Sequence, residues 1–312
     1  MSHRIATARP PASGRAARAP AALALLAATA LAATPPELAP AVAAAERGDH
    51  AECARRFAAI AAAAEGGLAR RARYGEAVCA ALDGDLQRGF AALAAAIALD
   101  FHDAGRFYDD PRLRPLRADA RWPELERQFH EAVDRWRAGL DAELHALYLA
   151  DQEDRASRAG GVDWSAVAGR DRERLRRGRE ILAARRAELG ADDLYHAAIV
   201  LQHGEEVEDF ALAHELARRA AELDADHPRA RWLAAAALDR ALVAAGQPQR
   251  YGTQSVFDNG RWVLAPVDPA VRDEERAAWD VPPLAESLAR VEAMNGPAAP
   301  PASPAAAPPD GE

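Results

Sequence analysis

Apolar residues recur every three to four positions along most of this chain, and this period predicts helices. One apolar stripe holds Leu140, Leu144, Leu147 and Tyr148, and similar patterns predict helices over 171–189, 192–203, 209–223 and 229–244. The period breaks near Asp258-Asn259-Gly260, where two short β-prone runs flank a strong hairpin turn signal. The abundance of alanine and the few β-branched residues favour helix throughout. The pattern therefore predicts an all-α protein with one small β-hairpin.

A repeat precedes these elements. Gly48-Asp49 and Gly84-Asp85 each open the same layout of small and apolar positions, and the spacing of 36 residues is close to the tetratricopeptide period of about 34. The segment resembles tetratricopeptide repeats, in which a turn joins two antiparallel helices. After the second copy, two prolines and the pair Leu113 and Leu116 resemble the closing cap of such repeats. We call residues 36–138 the repeat region and residues 139–294 the helical domain, because the boundary is predicted near Gly139.

The two ends of the chain differ from its middle. Residues 1–32 combine four arginines, an apolar run and small residues that fit an Ala-x-Ala cleavage site, which predicts a signal peptide. The alternative is a disordered arm rich in alanine and proline. Export would place the protein in the periplasm or outside the cell, and the apolar run is too short to span a bilayer, so no membrane span is expected after cleavage. Residues 295–312 are rich in proline and alanine and are predicted to form a disordered tail.

Composition excludes several functions. The chain contains no lysine, which rules out a Walker phosphate loop, Schiff-base catalysis and a pyridoxal phosphate anchor. The formal charge is −9, and loss of the four arginines of the signal would make it more negative. A chain this acidic is a poor binder of nucleic acid.

Two cysteines, Cys53 and Cys79, lie in the repeat region. An exported protein can form a disulfide from them. The alternative is a pair of small buried thiols in alanine-rich helices. The sequence leaves both readings open, because it does not show whether the two Cα atoms come within bonding range.

Between residues 192 and 254, several polar residues fall on helix faces that are predicted to be buried. At 100° per residue, Asp239 falls within about 20° of Trp232 on the apolar side of its helix. A carboxylate placed there needs a partner. His196 and His203 also share one face with apolar residues, and they are either core side chains bonded to carbonyls or a metal-binding or acid/base pair.

Four short motifs recur in this part of the chain: Asp151-Gln152-x-x-Arg155, Gln202-His203, Asp239-Arg240 and Gln249-x-Tyr251-Gly252-Thr253-Gln254. Together they resemble the hallmark pattern of an uncharacterised bacterial domain family, which implies no established activity. The resemblance covers about residues 144–254. The chain departs from the pattern at Gly204-Glu205, where Ala-Asp usually follows the histidine, so the carboxylate is kept on a longer side chain.

These motifs supply the candidate site. The candidates for catalysis are His203, Asp239, Asp151 and Glu205. The candidates for ligand binding are Gln152, Arg155, His196, Gln202, Arg240, Gln249, Tyr251, Thr253 and Gln254. No metal site and no cofactor are predicted.

Two classes of function fit these residues. In one, the polar set is a buried structural network, with Asp239 paired to Arg155 and the Tyr-Gly-Thr-Gln loop bonded to helix ends, and the protein is an interaction module that binds a protein or peptide. In the other, the set forms the pocket of a hydrolase-like acid/base or metal-assisted enzyme. The first is the preferred interpretation, because an acidic chain with repeat hairpins more often binds a partner.

Overall fold

The computed structural model describes residues 37–156, 162–227 and 229–296. The predicted signal peptide lies outside these residues, as does the predicted tail from residue 297 onward. The described residues form fourteen α-helices and a single two-stranded antiparallel sheet. The prediction of an all-α fold with one small hairpin is confirmed.

Seven helices and one 3₁₀ turn build the repeat region. They are α1 (Ala39–Glu46), α2 (His50–Ala63), α3 (Gly66–Asp83), α4 (Leu86–Ala98), α5 (Ala104–Asp109), the 3₁₀ turn Pro111–Leu113, α6 (Arg114–Arg117) and α7 (Trp122–Gly139).

The two Gly-Asp turns have the same geometry. Gly48 and Gly84 adopt φ angles of 75° and 84°, in the left-handed region that favours glycine. The aspartate that follows each glycine caps the next helix: the Asp49 carboxylate accepts from the amide of Glu52, and that of Asp85 from the amide of Arg88, both at 3.0 Å. The internal repeat in the sequence is therefore a repeat in local structure.

The two copies differ at the small residue that lies four positions after their shared aspartate. In the first copy, Cys53 forms a disulfide with Cys79 on α3, which joins α2 to α3. In the second copy, the equivalent residue is Gly89, and a Cβ there would lie 3.0 Å from Leu116 in the following segment. One small residue thus permits a covalent link, and the other lets the cap approach α4.

The cap is packed through aromatic rings. Phe107 stacks on Phe129, with ring centroids 4.0 Å apart, and on Trp122, with centroids 4.5 Å apart. Leu113 and Leu116 are fully buried beside them.

Seven more helices and the hairpin build the helical domain. They are α8 (Ala142–Arg155), α9 (Trp164–Arg185) with the 3₁₀ turn Arg186–Glu188, α10 (Ala191–Leu201), α11 (Val207–Leu223), α12 (Ala230–Ala244), β1 (Ser255–Asp258), β2 (Arg261–Leu264), α13 (Asp273–Ala278) and α14 (Leu284–Met294).

The core of this domain lies between α8, α9, α10, α11 and α12. Its fully buried side chains include Leu144, Ile181, Leu201, Leu216 and Leu233. The hairpin pairs Ser255 with Leu264 and turns at Asn259-Gly260, whose φ angles are 47° and 82°. The side chain of Asn295, which the sequence placed in the tail, bonds both the amide and the carbonyl of Trp262.

The helical domain docks on the repeat region through the loop after α11. Arg70 and Arg71 on α3 form ion pairs with Asp224 and Asp226, at 2.9 and 3.2 Å. The approach is close, because a Cβ on Gly67 would lie 2.5 Å from the Cβ of Asp226. None of the helices in the described ranges has both the length and the apolar character needed to cross a bilayer.

Candidate functional site

Asp239 is fully buried on α12, as the helical period predicts, but its partners are not those expected. Its Oδ1 accepts from the amides of Arg250 and Tyr251 at 2.7 and 2.9 Å. Its Oδ2 accepts from the amide and the hydroxyl of Thr253 at 3.0 and 2.8 Å, and also from the Tyr251 amide at 3.1 Å. Burial raises the pKa of Asp239, and these hydrogen bonds oppose the shift.

The predicted Asp239–Arg155 pair is therefore wrong. Arg155 instead pairs with Asp151 and Asp171, each at 2.7 Å. Asp239 needs no guanidinium, because backbone amides from one loop satisfy both of its oxygens. The loop also does not bond helix ends, as the sequence suggested, but bonds the side chain of Asp239.

The two glutamines of the Gln-x-Tyr-Gly-Thr-Gln motif complete this loop. The side chain of Gln249 donates to the carbonyls of Gln254 and Ala265, at 2.8 and 2.9 Å, and accepts from the Gln254 amide at 2.8 Å. The Gln254 amide group donates to the Ala236 carbonyl at 3.1 Å, which ties the loop to α12. We call residues 249–254 together with Asp239 the loop network.

Gly252 is required at its place in the loop. Its φ is 86°, and a Cβ there would lie 3.2 Å from Leu284 on α14. Both the backbone conformation and the close approach of α14 thus explain a glycine between Tyr251 and Thr253.

A second polar group lies where α8, α9 and α10 meet. Asp151 near the end of α8 is fully buried, and His203 follows the end of α10. His203 Nε2 lies 3.7 Å from Oδ1 of Asp151. Gln152 donates to the other carboxylate oxygen of Asp151 at 3.0 Å. We call Asp151, Gln202, His203 and Arg240 the polar centre.

Three atoms of the polar centre are buried without a hydrogen-bond partner among the described residues: Oδ1 of Asp151, Nε2 of Gln202 and Nε2 of His203. Nη1 of Arg155 lies 2.7 Å from Oδ1 of Asp151, but this ion pair lacks the angles of a hydrogen bond. Buried polar atoms are normally satisfied, so three such atoms on neighbouring residues indicate a place for an additional polar group.

Burial shifts the pKa values of Asp151 and His203 in opposite directions. It raises the pKa of Asp151 to about 6, against the opposing charge of Arg155 and the hydrogen bond from Gln152. It lowers the pKa of His203 well below the usual range, and the charges of Arg155 and Arg240 add to the effect. At neutral pH, His203 is neutral and Asp151 is mostly ionised.

Arg240 on α12 is also buried, with 8% of its surface exposed. Its guanidinium donates to the Gln202 carbonyl, lies 3.4 Å from Oε1 of Gln254 and stands over the Phe210 ring at 5.7 Å. Burial and the charge of Arg155 lower its pKa to about 10. It forms no ion pair with a carboxylate of the described residues, so its charge is not neutralised locally.

A small cavity of about 60 Å³ lies between α12, the loop network and α14. Gln202 and Arg240 line it on the polar side. The cavity therefore borders the polar centre at Gln202, whose amide nitrogen has no hydrogen-bond acceptor among the described residues, and at Arg240, whose charge these residues do not neutralise.

Two predicted residues form no hydrogen bond or ion pair with the loop network or the polar centre. Glu205 is exposed, and its carboxylate lies 3.4 Å from Arg172 on α9. His196 stacks on Tyr148, with ring centroids 4.2 Å apart, and lies near His145. Burial lowers the pKa of His196 to about 4.

The sequence interpretation missed Asp171 and Arg174 on α9. Arg174 bonds Asp154 at 2.8 Å and Asp171 at 2.5 Å, and it is buried within a helix that is rich in arginine. Arg174 lies four and seven positions before the buried Gly178 and Ile181. The helical period thus contained a signal, which the high arginine content of the helix concealed.

Within the described part of the chain, no three His, Cys, Asp or Glu side chains are grouped so that they could hold a metal ion. Comparisons with protein-family models, with curated proteins and with solved structures found no match to this chain.

Proposed function

We propose that the helical domain is a small-molecule enzyme of the acid/base type, with His203 as the general base and Asp151 as the group that orients it. The observation that carries this proposal is the set of three buried polar atoms on Asp151, Gln202 and His203 that have no hydrogen-bond partner among the described residues. A network that serves only the fold is normally satisfied throughout, because each unpaired buried group costs about 1 to 3 kcal/mol.

The geometry of the pair supports these roles. Oδ1 of Asp151 is an acceptor, so it favours the tautomer of His203 with the proton on Nε2, and Nδ1 then has a free lone pair. The separation of 3.7 Å is long for a hydrogen bond, but such contacts often tighten only when substrate binds. A neutral imidazole held beside a carboxylate is the arrangement that hydrolytic enzymes use to accept a proton from water or a hydroxyl group.

Arg155 and Gln152 support Asp151 in this role. Arg155 joins Asp151 to Asp171, which fixes the end of α8 against α9. We assign them as positioning residues, since their side chains contact Asp151 and not the cavity.

Substrate panels test the proposal. Wild type, Asp151→Asn and His203→Gln would be assayed with p-nitrophenyl esters, phosphates and glycosides over pH 5 to 9. Glu205→Gln is the matched control for Asp151→Asn, because it also replaces a carboxylate with an amide, but Glu205 lies at the surface. We expect any turnover to fall by about a hundredfold or more in His203→Gln and to be unchanged in Glu205→Gln. Turnover that survives His203→Gln would refute the assignment.

A second candidate is binding of a protein or peptide by the repeat region. The matching turns at Gly48 and Gly84 favour it, because stacked hairpins present an extended surface. The loop that contains Asp224 and Asp226 already occupies part of α3, which favours the use of this face within the chain. A peptide library that binds wild type and Asp151→Asn equally would favour the second candidate.

Export forms part of the proposal. The disulfide between Cys53 and Cys79 supports it, because disulfides persist mainly in oxidising compartments. Mass spectrometry of the protein from its native host would test it, and an intact Met1 would argue against cleavage.

A further inference from the structure

The cavity beside Arg240 has one polar wall and one apolar wall. Gln202, Arg240, Thr253 and Gln254 form the polar wall, and the apolar wall is formed by Trp232, Leu264, Val281, Val291 and Met294. Its volume of about 60 Å³ corresponds to about two water molecules. Only a small chemical group fits, such as the end of a longer molecule.

The charge of Arg240 determines the charge that the bound group should carry. Arg240 is more than nine-tenths buried, and among the described residues its acceptors are neutral oxygens of Gln202 and Gln254. A buried guanidinium without a carboxylate is unfavourable, and an anion in the cavity would neutralise it through a charge-assisted hydrogen bond.

The remaining donors specify the type of anion. Gln202 is 1% exposed, and its Nε2 has no acceptor among the described residues. The Arg290 guanidinium also lines the cavity, but it is paired with Glu286 at 3.1 Å. The buried guanidinium of Arg240 and the amide of Gln202 therefore provide a single unneutralised positive charge and few donors. A carboxylate matches this set, whereas a phosphate dianion needs more charge and more donors than these side chains offer.

We propose that this cavity binds the carboxylate end of a small organic acid, with Arg240 and Gln202 as donors and the short aliphatic part against Val291 and Met294. This inference rests on the proposed function in one respect, since it assigns carboxylates as the substrate class of the same polar centre. A longer ligand would leave past Arg290, whose side chain is 33% exposed and forms part of the rim.

Isothermal titration calorimetry on the full-length protein with butyrate, butyramide and inorganic phosphate tests the assignment. Butyramide has nearly the shape of butyrate without its charge. We expect butyrate to bind at least about tenfold more tightly than butyramide, since the ion pair is lost with the amide. Failure to bind butyrate, equal binding of butyramide, or tighter binding of phosphate would overturn the proposal.

Substitutions locate the binding. Arg240→Gln should weaken butyrate binding by about tenfold to a hundredfold. If Arg240→Gln does not fold, Val291→Phe tests the same site from the apolar side, because the larger ring fills the cavity and should abolish binding. Leu288→Phe is its control on α14, because Leu288 is 52% exposed. This control variant should bind butyrate as wild type does. Normal binding in Val291→Phe would overturn the proposal.

The inference and the proposed function fail separately. Turnover that depends on His203, without any butyrate binding, would remove the carboxylate assignment and leave the enzyme proposal intact. Butyrate binding that depends on Arg240, with turnover unaffected by His203→Gln, would retain the carboxylate site and remove the enzyme proposal.

Discussion

The loop network and the polar centre share α12 and nevertheless differ in how their polar atoms are satisfied. Both oxygens of Asp239 accept hydrogen bonds from the loop, whereas the facing atoms of Asp151 and His203 have no hydrogen-bond partner in the described ranges. The first arrangement holds a chain segment in place. The second leaves capacity for a ligand, and the proposed function rests on this difference between the two carboxylates.

The position of the two carboxylates explains the difference. Asp239 lies beside a loop whose backbone conformation, set by Gly252, turns successive amides toward it. Asp151 lies between three helices, whose backbone amides are already used within the helices. Only side chains or a ligand can satisfy Asp151, and the side chains present do so incompletely.

The largest predicted effect follows from breaking the loop network. Asp239→Asn replaces one acceptor oxygen with an NH₂ group that faces amide donors, so we expect a loss of about 3 to 5 kcal/mol in the free energy of unfolding. Urea denaturation measures it. Asp258→Asn in the exposed hairpin turn should change stability by less than about 0.5 kcal/mol. A loss in Asp239→Asn as small as in this control would mean that the loop network does not hold the fold.

A similar loss of stability is expected from a change far from both regions. The double substitution Cys53→Ala, Cys79→Ala removes a disulfide that closes 26 residues of chain, and the loop-closure estimate is about 3.5 kcal/mol. Ligand binding and turnover should be retained, since the disulfide lies in the repeat region. Loss of binding at a temperature where this variant is folded would contradict the separation of stability from function.

The raised pKa of Asp151 in the polar centre should make the free energy of unfolding depend on pH. Because the folded pKa of Asp151 is raised to about 6, its contribution to stability is full below the unfolded pKa of about 3.9 and is lost as the pH rises through 6. The amide of Asp151→Asn does not ionise, so the stability of the variant has no such loss at this position. The free energy of unfolding of the variant, relative to wild type, should therefore rise by about 2.4 kcal/mol between pH 4 and pH 7.5.

Urea titrations at four or five pH values in this range measure that difference. Asp239→Asn provides the comparison. Burial also raises the pKa of Asp239, against the hydrogen bonds from the loop, so its difference from wild type should change with pH in the same direction. If the difference in the free energy of unfolding between Asp151→Asn and wild type does not change with pH, the pKa of Asp151 is not raised in the folded protein.

The smallest effect is expected at Glu205, the sequence candidate that lies outside the polar centre. Glu205→Gln breaks only an exposed ion pair with Arg172, so stability should change by less than about 0.5 kcal/mol. Thermal denaturation and the substrate panel measure this. A clear loss of turnover would place Glu205 in the site during catalysis and would require a movement of the loop after α10.

The sequence by itself determined the helices, the hairpin and the burial of Asp239. These follow from local rules: the helical period places Asp239 on an apolar side, Asn259-Gly260 fits the primed hairpin turn, and the aspartates after Gly48 and Gly84 cap the next helix. Each rule acts over a few residues, so no knowledge of distant contacts is needed.

The tertiary structure alone decided which polar residues meet. Asp151 and His203 are 52 positions apart in the chain, and their contact depends on how α8 and α10 cross. The sequence indicated that Asp239 needs a partner but not that the amides of Arg250, Tyr251 and Thr253 supply it, because backbone donors leave no signature in side-chain identity. The bond between Cys53 and Cys79 was undecided for the same reason, since it depends on the separation of two Cα atoms that only the packing of α2 on α3 fixes at 5.9 Å.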